Sequence, residues 1–387
     1  MKYAARIRRL RGEGAFDVLA RAKALERAGR SIIHLEIGQP DFDTPPSVSD
    51  AGIEAIRSGH TKYAEAQGIV ELRTAVARHA GEARMIEVDP DEVVIAPGVK
   101  PIIFYTMLSS VNRGDEVIYP NPGFPTYESL IHFLGAKPVP IPLVEEKGFT
   151  VDASEMERRL NPKTALIILN SPNNPTGGVI AEDDLRSVAE MATSVDATVL
   201  SDEIYSRLVY DEPFRSIASI PGMRERTVIA DGFSKTYAMT GWRLGYGIMN
   251  GDLARMMTKL LINSASCTAM FTQFAGIQAL LGSQERVDRM RQAYRGRRDL
   301  ITSGLNRIPG FRCMQPSGAF YAFPNHRSLE LNSAQLADLI LSEAGVACLP
   351  GSAFGESGEG HLRFTYSNSE KKISEALERI GDVIRRI

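Results

Sequence analysis

Between about Glu54 and Gly282 the chain alternates two patterns: apolar residues three and four apart, and short continuous apolar runs. Helices layered on a sheet give that alternation. The runs Glu92–Ala96, Glu116–Tyr119, Ala165–Leu169, Thr198–Ser201 and Thr227–Ala230 are rich in Val, Ile and Leu and bounded by turn residues. They predict strands buried on both faces, as in a parallel sheet. Helical spacing predicts helices over Val70–Gly81, Val99–Val111, Ala181–Thr193 and Arg286–Leu305. The last third changes character. Phe311–Phe323 reads as a hairpin region around Pro316-Ser317-Gly318, Ser333–Ala344 and Glu370–Arg386 as amphipathic helices, and Val346–Leu349 and His361–Tyr366 as strands between them. The expectation is an α/β sheet layer followed, beyond a boundary near Gly282, by a smaller α+β unit.

Length supports the division, since 387 residues exceed the size at which one core usually stops growing. A hydrophobic content of 43% supplies a large core, and a formal net charge of −2 gives no general attraction to nucleic acid or anionic membranes. The longest apolar run, Pro101 to Leu108, is far too short to cross a bilayer. Lys2, Arg6, Arg8, Arg9 and Arg11 make the N-terminus basic, but no apolar core or small-residue cleavage site follows. It reads as a solvated or partner-contacting arm, with an organellar address as the alternative. Three widely spaced cysteines, Cys267, Cys313 and Cys348, point to reduced thiols in a cytoplasmic protein. The six histidines show no metal-ligand spacing.

The residues that carry chemistry fall just after the predicted strands, where ligands of doubly wound sheets sit. Lys235 follows Thr227–Ala230, with Arg243 eight positions on. A lysine at a strand end, its pKa lowered by burial and nearby positive charge, is a candidate Schiff-base former. An arginine close behind it, expected as a buried guanidinium that needs an anion, can clamp a phosphate. Amine plus phosphate clamp is what pyridoxal phosphate requires. Pro97-Gly98-Val99-Lys100-Pro101 reads either as a helix start offered to an anion or as a plain strand-to-helix turn. Phe124, bracketed by prolines, reads as a ring-stacking aromatic or as a packed loop residue. The stiff loop Asn170–Gly178 can aim an amide at a ligand oxygen, and Asp202 and Tyr205 can meet a ring nitrogen and a ring oxygen.

Ser171-Pro172-Asn173-Asn174-Pro175-Thr176-Gly177, Ser201-Asp202-Glu203-Ile204-Tyr205, Ser234-Lys235 through Gly241-Trp242-Arg243-Leu244-Gly245, and Gly38-Gln39-Pro40-Asp41-Phe42 stand in an order and spacing that is highly specific together. In them the chain resembles the class I/II aminotransferases of the fold-type I pyridoxal-phosphate superfamily, over nearly its whole length. The resemblance implies the aspartate aminotransferase-like fold: a mostly parallel, seven-stranded sheet flanked by helices, spanning about 46–282. With it go an N-terminal arm that joins the small domain (1–45) and a small C-terminal α+β domain (283–387).

It also implies a transaminase that moves an amino group between an L-amino acid and a 2-oxo acid by a ping-pong route. Lys235 would hold pyridoxal 5′-phosphate as a Schiff base and shuttle a proton. Asp202 would keep the pyridine nitrogen protonated, and Tyr205 and Asn174 would bond the ring hydroxyl oxygen. Phe124 would stack on the ring. The amides of Val99 and Lys100, the Ser234 hydroxyl and Arg243 would hold the phosphate. Arg363 in Gly360-His361-Leu362-Arg363-Phe364, aided by the backbone at Gly38, would take the substrate α-carboxylate. Tyr63 would reach the phosphate of a neighbouring subunit, which implies a homodimer. Lys100 matches a lysine that, in some prokaryotic aspartate and prephenate transaminases, meets the distal carboxylate of a dicarboxylic substrate. Pro101-Ile102-Ile103 departs from the residues usual there, and a solvated lysine remains the other reading.

The substrate expectation is aspartate-like or broad. β-Elimination of the carbon–sulfur lyase kind, or oxidation of an amino acid by O2, would use the same residues. Gly241, Gly245 and Gly247 do not have dinucleotide-fingerprint spacing, which excludes a nicotinamide site.

Overall fold

The computed structural model describes residue 1 and residues 3–387. Lys2, one of the basic arm residues, lies outside the described residues. The strands are β1 (Ile33–His34), β2 (Val93–Ala96), β3 (Glu116–Asn121), β4 (Lys137–Pro142), β5 (Thr164–Asn170), β6 (Thr198–Asp202), β7 (Thr227–Gly232), β8 (Gly245–Ile248), β9 (Tyr321–Ala322), β10 (Val346–Ala347), β11 (Leu349–Pro350) and β12 (Leu362–Thr365).

Seven of them form one sheet in the order β2-β8-β7-β6-β5-β3-β4. Only β8 runs against its neighbours, β2 and β7. Every residue of β2, β3, β7 and β8 is buried, and β5 and β6 are nearly so. That burial is why their sequences read as unbroken apolar runs rather than alternating ones. The helix Val99–Ser110, apolar around most of its circumference, buries Val99, Ile102, Ile103, Tyr105 and Met107 against the sheet. The register sets Asn170 beside Asp202 and Asp202 beside Ala230, so the carboxyl ends of β5, β6 and β7 lie along one rim.

The five predicted strands lie within observed ones apart from Glu92, which ends a 3-10 turn instead. Two strands of the sheet carry no such signal. β4 contains Pro138, Pro140 and Pro142, which a central strand excludes, but β4 is the sheet edge, where missing N–H donors face outward. β8 begins with Gly245-Tyr246-Gly247, and glycine offers no side-chain pattern to read.

The last third differs more. Phe311–Phe323 is not a hairpin: Arg312 bridges Asn325, but Tyr321–Ala322 pairs with β12. The tip is drawn across instead, with Gly318 N–H donating to Gly177 O at 2.9 Å and Tyr210 N–H donating to Ser317 O at 3.2 Å. The run Val346–Leu349 is not one strand either. β10 pairs in parallel with β1, and β11 pairs antiparallel with β12, so the run divides at Cys348 between two sheets. Leu35 ties the two together, donating to Ala347 O and accepting from Thr365 N–H at 2.8 Å. No helix among the described residues is long and apolar enough to cross a membrane.

Candidate active site

β7 ends at Gly232, and a single helical turn, Phe233–Thr236, carries Lys235 onto the rim. The residue is part-exposed but its amine is enclosed, donating to Gly38 O at 2.5 Å. Gly38 must be glycine, because a Cβ there would collide with the Tyr321 hydroxyl. Burial pushes the Lys235 pKa down to about 8, helped by the charges of Arg363, Arg243 and Lys100 and opposed by Asp202. A fraction of the amine is therefore neutral near pH 7, which an exposed lysine would not provide.

Asp202 closes β6 and is buried. Its carboxylate accepts from the Tyr127 hydroxyl at 2.5 Å and from Ile204 N–H at 3.4 Å. Burial raises its pKa to about 6 against those two hydrogen bonds, and Asp231 and Glu203 add to the rise. Behind it lies a buried ion cluster. Arg84 Nε donates to Glu203 Oε2 at 2.6 Å and Arg84 Nη2 to Asp231 Oδ2 at 2.5 Å. The Ser201 and Ser216 hydroxyls donate to Glu203 Oε1 at 2.8 and 2.6 Å. One guanidinium thus holds two carboxylates, each adjacent in sequence or in strand register to the residues of the rim.

Asn174, Tyr205 and Arg363 form the next group. Asn174 sits in a loop with cis bonds at Ser171-Pro172 and Asn174-Pro175, and its backbone N–H donates to Asn170 Oδ1 at 2.9 Å. Arg363, on β12, donates from Nη1 to Asn174 Oδ1 at 3.0 Å and from Nη2 to Glu36 O. It is buried, stacked 4.5 Å from the Tyr321 ring centroid and 4.9 Å from that of Phe354, and its Nε has no partner. Burial lowers its pKa, opposed by Tyr321, Tyr205, Glu36 and Glu13. The Tyr205 hydroxyl shares a 2.7 Å hydrogen bond with that of Tyr321, and Lys235 Nζ lies 6.0 Å from the Tyr205 ring.

At the other end, Gly98 takes φ +95° and starts the helix at Val99. A side chain there would strike the Arg243 guanidinium, so glycine lets the arginine lie across the helix start. Arg243 itself has φ +56° and donates to Thr240 O at 2.8 Å and Pro97 O at 3.3 Å. The expectation of a buried guanidinium is corrected: Arg243 is exposed and half-satisfied by carbonyls. Ser234 is buried close by in sequence. A cavity of about 710 Å³ opens on the outer side of Arg243, lined by Phe42, Thr44, Pro97, Trp242 and Phe271. It does not touch Lys235, Asp202 or Arg363.

Phe124 is part-buried, edge-on to Tyr127 at 5.6 Å. Lys100 Nζ lies 5.3 Å from the Phe124 ring centroid but is paired with Glu13. Tyr63 stands apart, 85% exposed. Sequence reasoning missed Tyr127, Tyr321, Arg84 and Glu13. Tyr127 stands one helical turn beyond Phe124, which was a signal; the other three reach the site through space from distant segments.

The residues present fit pyridoxal 5′-phosphate: an enclosed amine of lowered pKa, a buried carboxylate, an unpartnered Arg363 Nε and a glycine-cleared helix start. The comparisons agree. The chain matches Aminotransferase class I and II over residues 30–380. It is 38% identical over 374 residues to the aspartate aminotransferase of Pyrococcus abyssi, covering 96% of this chain and 94% of that one. It is 39% identical over 358 residues to aromatic-amino-acid aminotransferase 2 of Thermococcus litoralis, covering 92% of each. The structure of aspartate aminotransferase from Thermus thermophilus with maleate superposes with a TM-score of 0.95 at 34% identity, over 99% of this chain and 100% of that one. Fold and site define a pyridoxal-phosphate enzyme of the aspartate aminotransferase type. The chain belongs to the class I and II aminotransferase family; it is an aminotransferase, and pyridoxal 5′-phosphate is its cofactor.

Proposed function

We propose that the chain transfers the α-amino group of an aspartate-like or broad range of L-amino acids to a 2-oxo acid by a ping-pong route, with Lys235 carrying the cofactor as a Schiff base. The observation that carries this reading is the enclosed Lys235 amine, its pKa near 8, on the same sheet rim as the buried Asp202. When bound, the cofactor supplies an aldehyde carbon for the amino group and a ring that draws electrons from the neighbouring carbon.

Once the substrate amine has displaced it from the cofactor, Lys235 would be free as a neutral amine to take the proton from the substrate Cα. Asp202, ionised above about pH 6, holds a proton on the ring nitrogen, and Tyr127 fixes the orientation of its carboxylate. Tyr205 and Asn174 would bond the ring hydroxyl oxygen, and Phe124 would stack on the ring. The free Nε of Arg363 and its adjacent Nη offer the substrate α-carboxylate a paired site, aided by the Gly38 backbone, whose carbonyl meets Lys235. The amides of Val99 and Lys100, the Ser234 hydroxyl and Arg243 would hold the phosphate.

The reading extends to a cytoplasmic homodimer in which Tyr63 of a second copy approaches the Arg243 end. The exposure of Tyr63 and the open cavity beside Arg243 support it. The division into 1–45, 46–282 and 283–387 is part of the same proposal, supported by the pairing of β1 with β10. Lys100 is read as the contact for a distal carboxylate. The test is a half-reaction: the holoenzyme given an amino acid without oxo acid should yield one equivalent of the matching 2-oxo acid and the amino form of the cofactor. Ammonia release or peroxide formation would overturn it.

A further inference from the structure

The N-terminal segment fastens itself to one helix of the sheet layer and to Lys100. Arg11 N–H donates to Ser129 Oγ at 2.9 Å and Arg11 Nη1 reaches Glu128 Oε1 at 3.3 Å, both on the helix Thr126–Leu134. Two residues on, the Glu13 carboxylate accepts from Lys100 Nζ and from Thr126 Oγ1 at 3.3 Å. Lys100 stands over Phe124. The charge of Lys100 is felt at Lys235, and that of Glu13 at both Arg363 and Tyr321. Glu13 is therefore a carboxylate set within the field of the two cations that a dicarboxylic substrate would use.

We propose that Glu13 is a specificity-determining residue, an internal counter-ion that occupies Lys100 in place of a substrate's distal carboxylate. Aspartate and other dicarboxylates reach Lys100 only by displacing Glu13, whereas amino acids with neutral or aromatic side chains bind without that competition. The inference rests on Lys100 being the distal contact. Displacement is feasible because the pair is not sealed: the Lys100 side chain is 49% exposed and that of Glu13 24%. An ion pair of this exposure changes an equilibrium by about two- to fivefold. The device thus moderates selectivity and leaves both substrate classes usable.

The test uses holoenzyme carrying Glu13→Gln, Lys100→Met, or both, with two readouts. The first is the Kd of maleate, an unreactive dicarboxylate, followed by the cofactor absorbance. The second is kcat/KM for aspartate against phenylalanine. Glu13→Gln should tighten maleate by about two- to fivefold. It should raise the aspartate-to-phenylalanine ratio by a similar factor through KM, and adding Lys100→Met should erase the gain. An unchanged or weaker maleate Kd in Glu13→Gln, with Lys100→Met alone weakening it, would overturn the role of Glu13 and leave Lys100 as the distal contact. If Lys100→Met leaves maleate and aspartate unaffected, the reading of Lys100 fails and the proposal falls with it.

Discussion

The floor and the rim of this site are built by opposite means. On the floor, Asp202, Tyr127, Tyr205, Tyr321, Asn174 and Arg363 are buried and bonded to one another, and the Arg84 cluster supports them from behind. At the rim, Arg243 is exposed, and the Lys100–Glu13 pair meets solvent. Floor charges are shifted by burial before any ligand arrives, the Asp202 pKa upward to about 6 and that of Arg363 downward. Rim charges are set by whatever comes to meet them, whether phosphate, substrate or a second copy. On the proposed function, the floor would determine whether chemistry happens, and the rim on what.

Substitutions should separate the two. Lys235→Ala removes the amine itself and should lower turnover by about four or more powers of ten, with each ~1.4 kcal/mol of lost transition-state stabilisation counting tenfold; steady-state kinetics check it. Arg84→Met leaves two buried carboxylates without their cation and should destabilise the fold by about 3–5 kcal/mol in denaturant melts. Removing Arg255, whose pair with Asp252 is exposed, should shift the same melt by less than about 1 kcal/mol. Equal shifts would break the contrast between buried and exposed pairs. Tyr127→Phe deletes a hydrogen bond to the Asp202 carboxylate that favours its ionised form. It should raise the acid limb of the kcat/KM–pH profile and cost about 1–2 kcal/mol in transition-state stabilisation.

A pH series sharpens the account further. Below about 8 Lys235 is protonated and above it neutral, so capture of cofactor by the apoprotein should rise about tenfold per unit up to pH 8 and then level off. A rise that continues toward the ordinary lysine range would mean the amine is not enclosed.

The interior of the fold was legible in the sequence because burial on both faces leaves an unbroken apolar signature, as in β6 and β7. β4 and β8 were not, since proline at an edge and glycine in a strand erase the pattern that burial writes elsewhere. Phe311–Phe323 misled because its turn residues serve a contact with Gly177 and Tyr210 rather than pairing within the segment. In the candidate site, residues following apolar runs could be read because strand ends are local features. Tyr321 and Arg84 could not, since their partners Tyr205, Glu203 and Asp231 lie more than a hundred positions away. The 49% exposure of Lys100 and its pairing with Glu13 belong to the same kind of information, visible only once the arm is in place.

On the proposed function one enclosed amine, that of Lys235, bonds the cofactor. Borohydride reduction of the holoenzyme followed by proteolysis and mass spectrometry tests it directly. The cofactor mass should appear on the peptide bearing Lys235 and on no other lysine, with the coloured band lost in the same step. A label on Lys100 or elsewhere, or a cofactor that dialyses away unreduced, would contradict it.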